Sequence, residues 1–381
     1  MTTVKMVKLG TLIKPAKLQK CGNDDYPVLS MTMHNGLVFQ SDKFKKSVAS
    51  QDKSTYKVVH RNQLVIGFPI DEGVLATQRI TDAGIVSPAY GIWDVDQTKI
   101  IPEFLEYALR CNRAIDYYKA KLRGSTARRR SLPTPTLLEL DVPLPDIEQQ
   151  KLALTTIHHA KNALDSRQAQ LTKLDELVKA RFVEMFGDPV KNTMDWEIKS
   201  LSELGELNRG VSKARPRNSP ELLGGPYPLI QTGEVANAKT YITSFNSTYS
   251  EKGLAQSKMW PKGTLCITIA ANIAQTSILT FDACFPDSVV GFISRNMTNE
   301  LFIHYWFSFF QKILDEQAPQ VAQKNINLKI LSELNVIVPP LSLQNRFAAF
   351  VEHVDQQKQT VQQSLEKLEL MKKALMQEYF G

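Results

Sequence analysis

The sequence predicts an α+β protein in which two globular domains of mixed α/β structure are joined by two long helices, as an internal repeat with pseudo-twofold symmetry. Three observations predict this architecture. The chain has 381 residues, which is more than one compact domain usually contains. A block with helical periodicity occurs twice, at an offset of 194 residues. Before each copy, short runs rich in β-branched and aromatic residues alternate with turn residues, as is typical of strands.

The composition is that of a globular protein with a mild basic excess. Apolar residues make up 43% and charged residues 22%, which excludes a disordered or collagen-like chain. Lys and Arg number 46 against 39 Asp and Glu, and the formal charge of +7 suits a polyanionic partner. The four cysteines form no CxxC pair, so we expect reduced, buried thiols and neither a disulfide framework nor a zinc site.

No segment of the sequence predicts export or membrane insertion. The first residues lack the apolar core of a signal peptide. Residues 263–281 carry no charge, but Thr, Asn, Gln and Ser interrupt them, so we interpret them as buried strands and a turn. We therefore expect a cytoplasmic protein without a membrane partner.

The repeated block keeps its register over its whole length. Its first copy is Leu171-xx-Leu174-xx-Leu177-xx-Ala180 with Met185-Phe186-Gly187, and its second is Leu365-xx-Leu368-xx-Met371-xx-Ala374 with Tyr379-Phe380-Gly381. Just upstream, Gln149 aligns with Gln344 at an offset of 195, which predicts a one-residue insertion between the two stretches.

Fainter matches in the globular parts have offsets between 192 and 201. Leu9-Gly-Thr-Leu12 resembles Leu201-Ser-Glu-Leu204, and Gln63-Leu-Val-Ile66 resembles Thr264-Leu-Cys-Ile267. Insertions therefore concentrate in the globular parts. The predicted domains are a first globular domain at 1–144, a first helix at 145–190, a second globular domain at 191–338 and a second helix at 339–381.

Both helices carry an apolar stripe with a seven-residue period and contain no internal Pro or Gly. At 1.5 Å per residue each is about 60 Å long, too long for one domain of this size to cover. We therefore expect the two helices to pack on each other; the alternative is two separate amphipathic helices, each lying on its own domain. The predicted coiled-coil interface consists of Ile157, Leu164, Leu171, Leu174, Val178, Val354, Val361, Leu368 and Leu375.

Two further helical runs are predicted at equivalent places within the globular parts. They span residues 103–122 after Pro102 and residues 300–317 after Asn299. Residues 301–310 are apolar on every face, which predicts a buried helix.

The sequence contains no recognisable catalytic or metal motif. It lacks a triphosphate loop, a zinc-protease helix, a nucleophile elbow and a methyltransferase motif. His158 and His159 are adjacent and point about 100° apart on a helix, so they cannot share one metal ion. Asp188, Glu197 and Lys199 loosely match the spacing of a Mg²⁺-dependent nuclease, but a turn role for Asp188 is simpler. We therefore predict neither catalytic nor metal-binding residues, and keep the nuclease as an alternative.

Basic and amide-rich loops form the candidate DNA-binding sites. Arg and Lys neutralise phosphates, Ser and Thr donate to phosphate oxygens, Arg recognises guanine and amides recognise adenine. A solvated basic loop is the alternative interpretation. The predicted DNA-binding residues are Lys119, Lys121, Arg123, Ser125, Thr126, Arg128, Arg129 and Arg130 in the first domain, and Arg209, Lys213, Arg215, Arg217, Gln320, Gln323, Lys324, Asn325 and Asn327 in the second.

These features together resemble the DNA specificity subunit of type I restriction-modification enzymes. The resemblance covers essentially the whole chain and rests on the duplicated order of domain and helix. Its individual motifs are Gly84-Ile-Val-Ser87-Pro88-Ala-Tyr90, Tyr227-Pro-Leu-Ile-Gln-Thr232-Gly233 and Pro286-Asp287-Ser288-Val-Val-Gly291.

The resemblance implies a non-catalytic protein with two target recognition domains, each of which reads half of a bipartite, asymmetric double-stranded DNA sequence. It also implies that the two helices form an antiparallel coiled coil, dock two modification (methyltransferase) subunits and join a restriction (endonuclease and translocase) subunit. Adenosylmethionine, ATP and Mg²⁺ would then belong to the partner subunits, and this chain would bind no cofactor. A coiled-coil adaptor without DNA readout is a further alternative.

Overall fold

The computed structural model describes residues 4–33, 35–43, 52–122, 132–270, 273–309 and 326–381. The chain divides into two compact units. Unit 1 consists of Met1–Gln168 with Gln363–Gly381, and unit 2 consists of Ala169–Gln362. Each unit therefore combines a globular part with a portion of both long helices.

Unit 1 contains ten short strands and four short helices among its described residues, followed by the start of the first long helix. The strands are β1 (Met6–Lys8), β2 (Ile13–Pro15), β3 (Leu29–Thr32), β4 (Gly36–Phe39), β5 (Lys57–His60), β6 (Leu64–Ile66), β7 (Leu75–Thr77), β8 (Ala83–Val86), β9 (Gly91–Val95) and β10 (Asp141–Pro143). The helices are α1 (Gln40–Lys43), α2 (Pro102–Arg110), α3 (Asn112–Lys121), α4 (Thr134–Leu138) and the long helix α5 (Ile147–Phe186).

The main sheet of unit 1 is antiparallel, with strand order β2-β9-β6-β7. Strands β3 and β4 form a hairpin, β5 pairs with β8, and β1 pairs with β10 directly before α5. Helix α2 begins at Pro102, where the missing backbone N–H costs nothing. Its buried residues Phe104, Leu105 and Leu109 face the core of the unit.

The helical run predicted at 103–122 is two helices, because the chain breaks at Cys111. Cys111 has an extended backbone conformation between α2 and α3. The hydroxyl of Tyr118 donates to the carbonyl of Leu109 at 3.0 Å, which satisfies an acceptor that the break leaves free. No Pro or Gly marks this break, so tertiary packing decides it and the sequence pattern does not.

Unit 2 contains more strands than unit 1 but follows the same order. Its strands are β11 (Glu197–Ser200), β12 (Gly205–Arg209), β13 (Leu223–Leu229), β14 (Tyr241–Ile242), β15 (Ser247–Tyr249), β16 (Met259–Trp260), β17 (Leu265–Thr268), β18 (Thr276–Leu279), β19 (Ala283–Cys284), β20 (Val289–Ser294) and β21 (Asn335–Val338). Its helices are α6 (Leu201–Leu204), α7 (Thr232–Asn237), α8 (Glu251–Ala255), α9 (Glu300–Phe307), α10 (Leu328–Glu333) and the second long helix α11 (Leu341–Phe380).

The sheets of unit 2 repeat the plan of unit 1. The strand order β12-β20-β17-β18 matches β2-β9-β6-β7, and β14 extends this sheet as a parallel edge strand. Strand β11 pairs with β21 directly before α11, as β1 pairs with β10 before α5. A second sheet has the order β15-β13-β19-β16. The predicted strands at 263–281 are confirmed as β17 and β18.

The predicted buried helix is α9, and it lies at the centre of an aromatic cluster. Phe302 stacks on Phe182 at a ring-centroid distance of 5.5 Å and meets Phe186 edge-on at 4.9 Å. Phe347 of α11 contacts both rings of α5 at 5.4 Å. The three residues Phe182, Phe186 and Phe347 are fully buried, so both long helices share the core of unit 2.

The two long helices run antiparallel. In unit 2, Val178 near the end of α5 and Val354 near the start of α11 belong to one apolar core. In unit 1, Ile157 near the start of α5 and Phe380 at the end of α11 belong to another. The predicted contact between the helices is therefore confirmed. Of the predicted interface residues, Ile157, Leu171, Val178, Val354 and Val361 are buried, whereas Leu164, Leu174, Leu368 and Leu375 are partly exposed.

An ion cluster interrupts the apolar seam in unit 2. The Lys358 ammonium lies 2.7 Å from the Asp175 carboxylate of α5 and 3.2 Å from that of Asp355 on its own helix. Burial disfavours the charged lysine, but the hydrogen bond to Asp175 and the electrostatic effects of Tyr305, Asp355 and Asp175 together outweigh it, so the pKa of Lys358 is raised. Burial also raises the pKa of Asp355. At the offset of 194, the equivalent residues in unit 1 are Leu164 and Glu369, so only one copy of the repeat could form this pair.

The predicted one-residue insertion before the helices is wrong, because Gln150 and not Gln149 is equivalent to Gln344. Gln149 is exposed, whereas Gln150 and Gln344 are fully buried. The Gln150 oxygen accepts from the backbone N–H of Ile101 at 2.8 Å. Its amide nitrogen donates to the carbonyls of Lys99 at 3.0 Å and Pro145 at 2.8 Å.

Gln344 makes the same set of hydrogen bonds in unit 2. Its oxygen accepts from the backbone N–H of Asn299 at 3.0 Å, and its nitrogen donates to the carbonyls of Met297 at 3.1 Å and Pro339 at 2.8 Å. The hydroxyl of Thr298 adds a fourth bond at 3.1 Å. The offset from Pro145 to Pro339 and from Gln150 to Gln344 is 194 in both cases, so the repeat continues without an insertion. We call these two arrangements the glutamine bridges.

Candidate nucleic-acid interface

The four predicted cations of the second domain lie together in one loop at the end of β12. We call residues 209–217 the basic loop. Arg209 ends β12, and Lys213, Arg215 and Arg217 follow in the loop; all four side chains are exposed. The chain leaves the sheet at Gly210, where a Cβ atom would collide with the carbonyl oxygens of Phe285 and Pro286. A glycine is therefore needed here so that the two backbones can approach.

Three arginines of the basic loop converge on one residue, Asp287. The Arg209 guanidinium donates to the Asp287 carbonyl at 2.9 Å. Arg217 forms an ion pair with the Asp287 carboxylate at 2.6 Å, and Arg215 lies 4.0 Å from it. Asp287 thus orients several cations, but its single carboxylate neutralises only one of them. With Lys213, the loop keeps a net positive charge of three at neutral pH.

The segment after α8 holds the basic loop in place. The side-chain oxygen of Gln256 accepts from the backbone N–H of Ala214 at 3.0 Å, and the hydroxyl of Ser257 donates to the carbonyl of Val211 at 2.7 Å. The next residue, Lys258, is exposed, and its ammonium lies 4.0 Å from the ring centroid of Trp260. Lys258 is therefore a further cation beside the loop. Sequence reasoning missed it because forty residues separate it from Arg217.

The predicted amide-rich loop of the second domain lies mostly outside the described residues. Gln320, Gln323, Lys324 and Asn325 are among these undescribed positions. Asn327 is described, and its side-chain oxygen accepts from the backbone N–H of Ile330 at 3.0 Å as the N-cap of α10. Its side-chain oxygen therefore stabilises the start of α10.

The predicted basic loop of the first domain is described only at its start. Lys119 and Lys121 are exposed in the last turn of α3. The other members lie outside the described part of the chain: Arg123, Ser125, Thr126, Arg128, Arg129 and Arg130.

Unit 1 has a counterpart of the basic loop that sequence reasoning missed. Strand β2 pairs with β9 as β12 pairs with β20. At the offset of 192 that relates Leu9 to Leu201, Lys17 corresponds to Arg209. Lys17 and Lys20 follow β2 and are exposed. The faint repeat of the first strands was the signal that could have identified them.

The residues of the alternative nuclease site make local contacts. The Asp188 carboxylate accepts from the backbone N–H of Val190 at 2.8 Å and of Lys191 at 3.3 Å, so it closes the turn after α5. Glu197 pairs with Lys199 at 3.1 Å on β11. Within the described ranges, no three His, Cys, Asp or Glu side chains are grouped so that they could hold a metal ion.

Two other properties bear on the environment of the protein. All four cysteines are buried and unpaired, and burial raises the pKa of the Cys266 thiol, which keeps it protonated and unreactive. Among the described residues, no helix is both long and apolar enough to cross a membrane.

The second half of the chain matches a known family model. Residues 193–370 match the model described as the type I restriction modification DNA specificity domain. This part of the chain is similar to a type I DNA specificity domain. The family resemblance predicted from the sequence is thereby confirmed, and the basic loop lies within the matched specificity domain.

A curated relative supports the same family over a longer stretch. It is named as the specificity subunit of the type I restriction enzyme MjaX of Methanocaldococcus jannaschii. It is 22% identical to this chain over 294 residues, which cover 74% of this chain and 68% of the relative.

Two solved structures share the fold of this chain over nearly its whole length. One comes from work on complex assembly and conformational transition of the type I restriction-modification system; it has a TM-score of 0.62 at 16% identity and covers 99% of this chain and 97% of that one. The other is the S subunit of a type I restriction-modification system from M. genitalium, with a TM-score of 0.58, 14% identity and coverage of 100% and 97%. These likenesses confirm the predicted fold class.

Proposed function

We propose that this chain is the DNA-reading subunit of a type I restriction-modification complex. In this proposal the globular part of each unit recognises one half of a bipartite, asymmetric sequence in double-stranded DNA. One observation carries the proposal: the same strand order, followed by helix α2 or α9 and then by a long helix, occurs twice, while the loops at the sheet edges differ in sequence and charge. Two domains with the same framework and different surface loops suit the recognition of two different half-sites.

The basic loop supplies the chemistry for DNA contact in the second unit. Its exposed arginines are already oriented by Asp287, which lowers the entropy that ordering them on DNA would cost. Cations of this kind neutralise phosphates, and a guanidinium can bind guanine with two hydrogen bonds in the major groove. In the first unit, Lys17, Lys20, Lys119 and Lys121 take the corresponding role.

Joining two readers in one chain explains how short half-sites can define a specific target. A good bidentate base contact discriminates by about 1–3 kcal/mol, so one small domain reads only a few base pairs. We call the globular part of each unit its head. When one head is bound to DNA, the second binds to the same DNA molecule intramolecularly, at a raised effective concentration. The paired helices then set the number of unread base pairs between the half-sites.

We further propose that the chemistry of the complex resides in partner subunits. The long helices would dock two modification subunits and a restriction subunit, which would carry adenosylmethionine, ATP and Mg²⁺. This chain would be non-catalytic and bind no cofactor. A cytoplasmic location suits both a chromosomal DNA target and four buried, unpaired thiols.

Sequencing of modified bases in a host that expresses the chain with its modification subunits tests the proposal. We expect adenine methylation at a two-part motif with a fixed gap. Replacing Arg209, Lys213, Arg215 and Arg217 by alanine should abolish methylation at this motif. The matched control replaces four exposed lysines of the long helices, Lys161, Lys173, Lys367 and Lys373, and should leave the motif unchanged. A one-part motif, or no motif at all, would refute the proposal.

A further inference from the structure

The glutamine bridges attach the head of each unit to the long helices at a defined point. In unit 1, Gln150 of α5 binds the backbone on both sides of residue 100, directly before α2 begins. In unit 2, Gln344 of α11 binds the backbone around Thr298, directly before α9 begins. Because α2 and α9 occupy the same place in the two units, we call them the head helices.

Each bridge fixes the orientation of its amide group. A glutamine side chain can accept two hydrogen bonds and donate two. Gln150 uses three of these capacities and Gln344 uses all four, with bond lengths between 2.8 and 3.1 Å. Both side chains are fully buried, so water cannot replace these bonds without opening the joint.

The other long helix holds each head helix at a second point. Phe380 at the end of α11 packs on Phe104 of α2 with a ring-centroid distance of 4.9 Å. Phe186 at the end of α5 packs on Phe302 of α9 at the same distance of 4.9 Å. Each head helix is therefore bound by a glutamine from one long helix and by a phenylalanine from the other. Two attachments to two different helices prevent the head helix from pivoting about either one.

We propose that Gln150 and Gln344 are positioning residues that hold the heads at a fixed angle to the long helices and thereby restrict the number of base pairs allowed between the two half-sites. This inference rests on the proposed function. The glutamines touch no base in this scheme; they act through the head helices. They limit which spacers the complex accepts, and the loops of each head decide which bases it reads.

Replacing each glutamine by leucine tests the inference in the complete complex with its modification subunits. A leucine side chain is similar in size to a glutamine side chain, but it can form none of the hydrogen bonds of the bridge. The variants are Gln150→Leu and Gln344→Leu, alone and combined. The matched controls are Gln149→Leu and Gln356→Leu, which lie exposed on the same two long helices. The probe is a library of duplexes that carry both half-sites with spacers shorter or longer than the natural one.

We expect the natural complex to methylate one spacer length and each bridge variant to accept neighbouring lengths. The preference for the natural spacer should fall by about tenfold, which corresponds to the loss of roughly one buried hydrogen-bonded group. The discrimination against mismatches within each half-site should stay the same. A loss of folded protein alone would lower methylation of all spacers by the same factor, so the ratio between spacers separates positioning from stability.

A second pair of variants keeps the test decisive if the leucine variants do not fold. Gln150→Glu and Gln344→Glu keep the acceptor for the N–H of the head-helix joint but place a carboxylate oxygen against the two carbonyls that the amide nitrogen had served, so they should relax spacer preference in the same direction. A ratio within twofold of the natural complex in all folded bridge variants overturns the inference and leaves the proposed function intact. If the natural complex itself reads no two-part target, the proposed function fails first.

Discussion

Replacing Lys358 by leucine tests how strongly the ion cluster stabilises the helix pair in unit 2. Lys358 lies between the carboxylates of Asp175 and Asp355, and its side chain is 14% exposed. Leucine occupies the equivalent position in unit 1, at residue 164. The change Lys358→Leu therefore introduces a side chain that the repeat already accepts, and its main effect is to remove the cation.

The two carboxylates differ in how much stabilisation they lose when the Lys358 cation is removed. Breaking a fully buried pair costs about 3–5 kcal/mol, because the remaining charge has no partner. The Asp355 side chain is 16% exposed and approaches this case, whereas Asp175 is 46% exposed and its pairing contributes less than about 1 kcal/mol. We therefore expect Lys358→Leu to lower the free energy of unfolding by about 2–3 kcal/mol near pH 7.

The sign of the pH dependence follows from Asp355. Its pKa in the folded state is raised above the unfolded value, so the folded state binds more protons in this range and lower pH favours folding through this group. Removing the nearby cation raises this pKa further. The stability difference between the natural chain and the variant should therefore shrink as the pH falls from about 7 toward 4.

Urea unfolding at several pH values, with thermal melting as a second measure, checks both expectations. For a unit of this size, the expected loss lowers the melting temperature by about 4–12 °C. Lys367→Leu, an exposed lysine on the same helix, is the control and should change little. Adding Asp355→Asn to Lys358→Leu should restore most of the stability. A loss below about 0.5 kcal/mol, or one that is equal at both ends of the pH range, would refute the reasoning.

Two more predictions concern the core of unit 2. Burial and the positive charge of Lys358 lower the pKa of His304 to about 4. As the pH falls from 6.5 to 4, the unfolded chain therefore takes up a proton at this residue while the folded chain does not. The free energy of unfolding should fall by at most about 3 kcal/mol over this range. His304→Gln should remove this slope in urea titrations, whereas the exposed His353→Gln should keep it; equal slopes would contradict the assignment. Phe186→Ala should cost about 3–5 kcal/mol in thermal unfolding because three phenylalanine rings lie within 5.4 Å of its centroid, whereas the exposed Val183→Ala should cost little.

The long helices were the easiest elements to predict, because their signal is redundant. A seven-residue apolar period, the absence of Pro and Gly and a second copy at a constant offset all indicate the same structure. The break at Cys111 had no such signal. Its residues have ordinary helix propensities, and only the packing of α3 and the hydrogen bond from Tyr118 reveal why the chain turns there.

The glutamine bridges could be predicted only in part from the sequence. Two adjacent glutamines, Gln149 and Gln150, lie in the first turn of α5, and the sequence alone cannot decide which of them is equivalent to Gln344. Burial and hydrogen bonding decide it, because one side chain is exposed and the other is fully buried. The basic loop shows the opposite case. Its charges are evident in the sequence, but their convergence on Asp287 requires the fold to bring residues about 70 positions apart together.

The places where the repeat holds its register and those where it drifts have different physical constraints. The offset stays at 194 along both long helices and at 198 for the head-helix positions that the bridges and the phenylalanines contact. A buried joint must satisfy every donor and acceptor, so an insertion there leaves polar groups unpaired. The loops at the sheet edges are exposed to solvent, so an insertion there costs only the entropy of closing a longer loop. Sequence differences can therefore accumulate in the loops that would contact DNA while both glutamine bridges stay the same. In this way one duplicated fold can present two different recognition surfaces.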